Sequence, residues 1–152
     1  MSRKWSTPLV FTVLLALALV VAACAPVAKT PGVLKPLTIV VGTNATYGKY
    51  LTDAKGMALY FYTPDTAGKS NCSGGCLAAW PALTVPKDIT PSGGEGVTGK
   101  LGTITRDDGT LQVTINDLPL YYFVQDKATG DTKGQGLNNV WYLSDGAGNM
   151  IK

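Results

Sequence analysis

Histidine is absent from this chain. Its absence removes the commonest general base, the usual transition-metal ligand and every Ser–His or Cys–His nucleophile. Hydrolytic chemistry would have to rest on carboxylates alone. Cysteine is nearly absent as well, limited to Cys24, Cys72 and Cys76. With no imidazole to add, so few thiols fall short of the four ligands of a protein-held zinc. Beyond residue 24 there is no capped segment of 3.6-residue periodicity, and the best helix candidate, 76–83, is short and stopped by Pro81. No basic or acidic tract stands out, so neither nucleic acid nor an anionic lipid surface is indicated as a partner. The tripeptide "GKS" at 68–70 is not a phosphate loop, because no glycine lies five residues before Gly68.

The long apolar run that does exist sits at the start. Arg3 and Lys4 precede "PLVFTVLLALALVVAAC", which ends in small residues and a cysteine. This is the layout of a secretory signal peptide, expected over 1–23. The segment "VAAC", 21–24, resembles the lipobox of bacterial lipoproteins, which implies cleavage before Cys24 and a diacylglycerol on its sulfur. Two or three acyl chains anchor a protein stably where one is marginal. A plain signal peptide or an uncleaved anchor helix is the competing reading. The chain has thirteen basic and ten acidic residues; without Arg3 and Lys4 eleven basic ones remain, so the mature protein is close to neutral. Residues 24–36 hold three prolines of the mature N-terminus and read as the lipidated cysteine plus a semi-extended tether. The folded part is expected over 37–152, enough for a single core.

Strand signals fill that part. "LTIVVGT", 37–43, is β-branched, and "KYLTDAKGMALYFYTPD", 49–65, reads as two strands joined by a turn at 53–56. "GTITRDDGTLQVTIND", 102–117, reads as a hairpin tipped by "DDG", followed by "LPLYYFVQD", 118–126. "VWYLSDGAGNMIK", 140–152, gives a strand, a glycine-rich turn and a closing strand, while 87–99 reads as loop.

Two of these segments spell the same word. Leu-Tyr-x-(Phe/Tyr)-x-x-Asp occurs at 59–65 and again at 120–126, and a tryptophan follows each, Trp80 and Trp141. Tyr60 and Tyr121, Asp65 and Asp126, and Trp80 and Trp141 are each 61 residues apart, and Gly48 aligns with Gly109 in the same register. Internal duplication explains this best, and the period exceeds that of solenoid units, about 20–50 residues. The expected fold is therefore all-β: two duplicated antiparallel units, about 44–98 and 105–152, packed as one pseudo-twofold sandwich or barrel-like domain. Alternation puts Tyr60 and Tyr62 on one face of their strand with Leu59 and Phe61 on the other, and Tyr121 and Phe123 opposite Leu120, Tyr122 and Val124. Each copy should be a central strand covered on both faces. Its Asp should cap the following turn, and the Tyr hydroxyl needs a partner such as that carboxylate.

Several constellations bear on chemistry. In an extracytoplasmic compartment Cys72 and Cys76 are expected to form a local disulfide, which pins a loop rather than the fold. A thiol redox pair or a metal thiolate pair is the alternative. Asp65 and Asp126 would be a carboxylate pair if the packing joined them, but each has a turn-capping job in its own copy, and that reading is preferred. Asp65 with Asn71, or Asp126 with Asp131, would supply hard oxygen ligands for Ca²⁺, though without the dense spacing of a calcium loop. Trp80 with Pro81 is a candidate lining for a ligand or partner surface.

The lipobox, the twin motifs, "GKSNCSGGCLAAWPAL" at 68–83 and "GTITRDDGTLQVTINDLPLYYFVQDKATGDTKGQG" at 102–136 together resemble the bacterial secreted-repeat lipoproteins. That family is defined by the Tyr-x-(Phe/Trp/Tyr)-x-x-Asp motif, and its biochemical function is not established. The resemblance implies an extracytoplasmic location, a duplicated unit and a cysteine pair between the first motif and the first tryptophan. Here those are Tyr60, Tyr62, Asp65, Cys72, Cys76 and Trp80, then Tyr121, Phe123, Asp126 and Trp141. The second unit departs from the pattern by carrying "KGQGLNN", 133–139, in place of the cysteine pair. The expected function is that of a membrane-anchored, extracytoplasmic, non-enzymatic binding or structural module, with no cofactor beyond the lipid and with the membrane and an unknown protein or small ligand as partners. An accessory protein holding a metal ion or serving an extracytoplasmic electron-transfer chain is the alternative, and a carboxylate-dependent hydrolase ranks third.

Overall fold

Chain reversals fall where Gly, Asn or Asp can take a positive φ. Gly48 (φ 69°) and Gly109 (φ 79°) sit at two hairpin tips, and Asn116 and Asp117 (φ 49° and 64°) form a two-residue turn. The computed structural model describes Met1 and residues 36–152; the leader, the lipobox with Cys24 and most of the tether lie outside the described residues. Among the described residues nine strands run in order. They are β1 (Thr38–Asn44), β2 (Gly48–Asp53), β3 (Tyr60–Tyr62), β4 (Thr84–Val85), β5 (Ser92–Gly93), β6 (Leu101–Thr105), β7 (Leu111–Ile115), β8 (Leu118–Pro119) and β9 (Trp141–Leu143). A single-turn helix, α1 (Gly75–Ala79), and a 3-10 turn at Leu137–Asn139 are the only helical pieces among them. The described part is all-β, as its periodicity predicts.

The helix ends earlier than the expected 76–83. Trp80 already has φ −126° and ψ 75°, because the residue before a proline is pushed out of the helical region. The expected loop at 87–99 contains β5, which pairs in parallel with β1 through Thr38↔Ser92 and Ile39↔Gly93. Two glycines at 93 and 94 let that segment lie against Val97 and Val40, which added Cβ atoms would meet at 3.0 Å.

Strand pairing shows the duplication directly. The β1–β2 hairpin runs from Ile39↔Asp53 to Asn44↔Gly48, and the β6–β7 hairpin from Leu101↔Ile115 to Thr105↔Leu111. Beyond each hairpin the chain turns back, so that Leu59 N bonds Leu51 O and Leu120 N bonds Val113 O, both at 3.0 Å. The equivalence is 61 residues from the motif onward, as the sequence suggests. Upstream it is 62, since Leu51 matches Val113. The turn between Asp53 and Met57 holds one residue more than the one between Ile115 and Leu118. Gly48 therefore corresponds to Thr110, not to Gly109, and the ungapped alignment of the two glycines is corrected by one position.

Each motif segment pairs with the tryptophan segment of the other repeat. β3 pairs with β9, Tyr60 opposite Leu143 and Tyr62 opposite Trp141. In the mirror relation Tyr121 bridges Ala82, and Tyr122 N bonds Pro81 O at 2.8 Å. The two copies meet at Tyr60 and Tyr121, which exchange both backbone hydrogen bonds, at 2.9 and 3.0 Å. A residue pair that is its own equivalent lies on the symmetry axis, so the pseudo-twofold passes between these tyrosines. Each repeat thus lends its last segment to the other.

The motif segments divide the interior into two cores along the expected faces, but only the first is a strand, β3. The second pairs through isolated bridges at Tyr121, and Val124, expected to be covered, is exposed where the chain turns away. Leu59, Phe61 and Leu120 join Ile39, Leu51, Leu83, Val113 and Ile115 in an aliphatic core, with Tyr122 at its edge. Tyr60, Tyr121 and Phe123 join Tyr50, Trp80, Trp141 and Leu143 in an aromatic one.

Candidate functional site

The aromatic core is a stack of four rings. Trp80 and Trp141 lie face to face, centroids 3.8 Å apart and planes within 4°. Phe123 stacks on the outer face of Trp80 at 4.2 Å and Tyr62 on that of Trp141 at 4.3 Å. Tyr60 meets Trp80 edge-on at 5.4 Å, and Tyr121 meets Trp141 likewise at 5.3 Å. Offset and edge-to-face contacts of this kind add about 0.5–1.5 kcal/mol each beyond area burial. Trp80 is only 6% exposed, so the expected role of Trp80 with Pro81 as a ligand-lining surface is corrected: the indole is core, while Pro81 alone is exposed.

The tyrosine hydroxyls reach across the axis. Tyr60 Oη donates to Asp126 Oδ2 at 2.6 Å, and Tyr121 Oη donates to Asp65 Oδ2 at 2.6 Å. The other carboxylate oxygen caps the local turn: Asp65 Oδ1 accepts from Asn71 N at 2.6 Å, and Asp126 Oδ1 from Lys133 N at 2.9 Å. The capping role is as expected, but the partner is not the motif's own tyrosine. Each motif caps itself and ties down its twin. A third pair follows the same plan, with Tyr122 Oη donating to Asp53 Oδ2 at 3.0 Å while Asp53 Oδ1 accepts from Lys55 N and Met57 N.

Burial sets the electrostatics. Tyr60 and Tyr121 are pushed above the ordinary phenol value first by desolvation, then by their carboxylate partners. Asp65 is raised by burial, against the opposing pull of Asn71 N–H, Tyr121 and Arg106. Exposed Asp131 goes the other way, to about 2, held by the Lys133 ammonium and by the amides of Lys127 and Ala128.

Some atoms of the candidate cation ligands are engaged within the protein. Asn71 Nδ2 donates to Pro64 O at 2.7 Å, and Asp131 Oδ2 accepts from Lys127 N, Ala128 N and Lys133 Nζ. No group of three or more Cys, Asp or Glu suited to a metal ion forms among the described residues. Cys72 and Cys76 form the expected disulfide, their Cα atoms 5.4 Å apart.

The two halves differ around the hydroxyls. Tyr60 is sealed by Gly134, whose N–H lies 3.3 Å from its oxygen. A Cβ at Gly134 would come within 2.7 Å of Trp80 and 2.9 Å of the Tyr60 ring, so only glycine fits. Tyr121 instead meets Ser70 Oγ at 2.7 Å, and Arg106 Nη1 donates to the same Oγ at 2.8 Å. Arg106 also donates to Gln112 Oε1 and, at 2.7 Å, to Cys72 O, so it ties the β6–β7 tip to the disulfide loop. Ser70 and Arg106 line a cleft of about 280 Å³ together with Lys69, Ser73, Gly74 and Asp108. Sequence reading missed Ser70, Arg106 and Gln112. Gln112 alternates with Leu111, Val113 and Ile115 and so reads from the sequence as outward-facing, yet it is fully buried.

A family model described as a secreted repeat of unknown function matches the chain twice, over residues 43–84 and 102–143. The two spans together hold more than half of the 152 residues, including both motifs and both stacked tryptophans. No curated protein and no solved structure matches the chain.

Proposed function

Because the chain belongs to the family of secreted repeats of unknown function, we propose that it works outside the cytoplasm as a rigid binding or structural module rather than as a turnover enzyme. The observation that carries this reading is the exchanged motif. Its aromatic rings and polar groups are satisfied by the twin copy, and among the described residues no buried side-chain nitrogen or oxygen lacks a partner. A site built for turnover keeps convergent groups aimed at an open pocket; these are aimed at each other. The "VAAC" segment supports a lipid on Cys24, with 25–36 as the tether and 37–152 as the module. Its partners would then be the membrane, through the lipid, and an extracytoplasmic protein or small ligand. A nearly neutral mature chain offers nucleic acid no electrostatic footing.

Metabolic labelling with an alkyne fatty acid tests the anchor. The wild-type chain should take up the label and fractionate with membranes, and Cys24→Ala should do neither. An unlabelled, soluble wild-type protein contradicts the anchored reading.

A further inference from the structure

The asymmetry between the two Tyr–Asp pairs is the feature that the module reading leaves unused. We propose that Ser70 is an activated nucleophile, able to accept an acyl group from small carboxylic esters entering the cleft beside Arg106. This goes beyond the module reading and does not depend on it, since one covalent transfer to a side chain is not turnover.

The argument starts from proton positions. Tyr121 has one hydroxyl proton, and it is committed to Asp65 Oδ2 at 2.6 Å. The 2.7 Å contact between Ser70 Oγ and Tyr121 Oη therefore has the serine as donor. Ser70, Tyr121 and Asp65 form a directed chain in which every proton already points toward the carboxylate. A second acceptor for Ser70, the Cys72 carbonyl, lies farther off at 3.4 Å. Arg106 Nη1, 2.8 Å from Oγ, places a positive charge beside the oxygen and eases removal of its proton. Tyr121 is fully buried beneath the half-buried Ser70, so the relay is shielded from water while the serine faces the cleft. A serine with a base within hydrogen-bond reach behind it and a fixed cation beside it has the parts of an activated nucleophile. The twin pair has none of this: Gly134 N–H occupies the place of the serine at Tyr60.

In the step, Ser70 Oγ bonds to the ester carbonyl carbon as its proton passes to Tyr121 Oη and the tyrosine proton passes to Asp65. The tetrahedral intermediate collapses with loss of the C–O bond to the alcohol. The proton held on Asp65 returns through Tyr121 to the departing alkoxide. The products are an acyl-serine and a free alcohol, with no oxidant or cofactor consumed.

A fluorophosphonate probe, in which phosphorus takes the place of the carbonyl carbon and fluoride leaves, reads this directly. The folded wild-type protein should form one adduct, mapped by peptide mass to Ser70 and lost in Ser70→Ala. Asp65→Asn and Tyr121→Phe should each slow labelling by about 100-fold, the lower end of a general-base contribution. Asp126→Asn, measured below its own melting temperature, removes the equivalent carboxylate of the sealed half and should change the rate less than twofold. No adduct on the wild-type protein, an adduct on Ser73 or a lysine, or wild-type rates in both relay variants would overturn the proposal. If Asp65→Asn does not fold, Ser70→Ala and Tyr121→Phe decide it.

Discussion

Around Asp126 the motif is closed: the carboxyl is buried, Tyr60 is covered by Gly134, and a loop of the same length without cysteines runs past. Around Asp65 the same two side chains sit at the same 2.6 Å separation, yet the carboxyl is half-buried and the loop holds a disulfide, Ser70 and the reach of Arg106. Duplication supplies two copies of one structural solution. Only one copy is needed in its minimal form, so the other is free to add polar groups next to it. What both halves keep is architecture, and what only one has is the place to look for chemistry.

That comparison can be broken most sharply at the axis. Trp80→Ala and Trp141→Ala each remove one indole from the centre of the stack, and each should cost about 3–5 kcal/mol. If the halves are equivalent at the core, urea denaturation should give values within about 1 kcal/mol of each other. A variant that is nearly neutral in one half would show that only the other half bears the core.

Alkaline stability sharpens the same point. Tyr60 and Tyr121 have folded-state values raised above their unfolded value of about 10. The folded chain then keeps protons that the unfolded chain releases. Their contribution is fully present below pH 10 and is lost as the pH rises beyond it. Each phenol should remove about 1.4 kcal/mol per pH unit in that range, and Tyr122 acts in the same direction. Denaturation series at pH 9 and 11 should show the fall, and Tyr60→Phe or Tyr121→Phe should each flatten it by one phenol. An unchanged slope in either variant would mean that its hydroxyl is not sealed in the folded state.

Much of this was legible in the residues themselves. Alternation at 59–62 and 120–123 assigns the right side chains to each core, because period-2 geometry leaves a strand no other choice. The disulfide and the turn-capping role of both Asp residues also follow from local chemistry. Local chemistry cannot say which copy a side chain will meet. Tyr60 has its nearest motif carboxylate in sequence at Asp65, and only the exchange of segments across the axis hands it Asp126 instead. The one-residue register slip in the first hairpin is hidden for a related reason: an extra turn residue at 53–57 leaves every strand pattern intact. Ser70 and Arg106 were illegible because their meaning depends on a contact between residues 36 apart, on a loop and a hairpin tip that read as ordinary polar turns.

The central claim is that the motifs interlock across the axis, and one double-mutant cycle tests it. Tyr60→Phe and Asp126→Ala, alone and together, should show a coupling of about 1–3 kcal/mol in denaturant unfolding, while Tyr60→Phe with Asp65→Ala should add to within about 0.5 kcal/mol. Additivity for Tyr60 with Asp126, or strong coupling of Tyr60 with Asp65, would contradict the exchange and return each motif to a unit that caps itself.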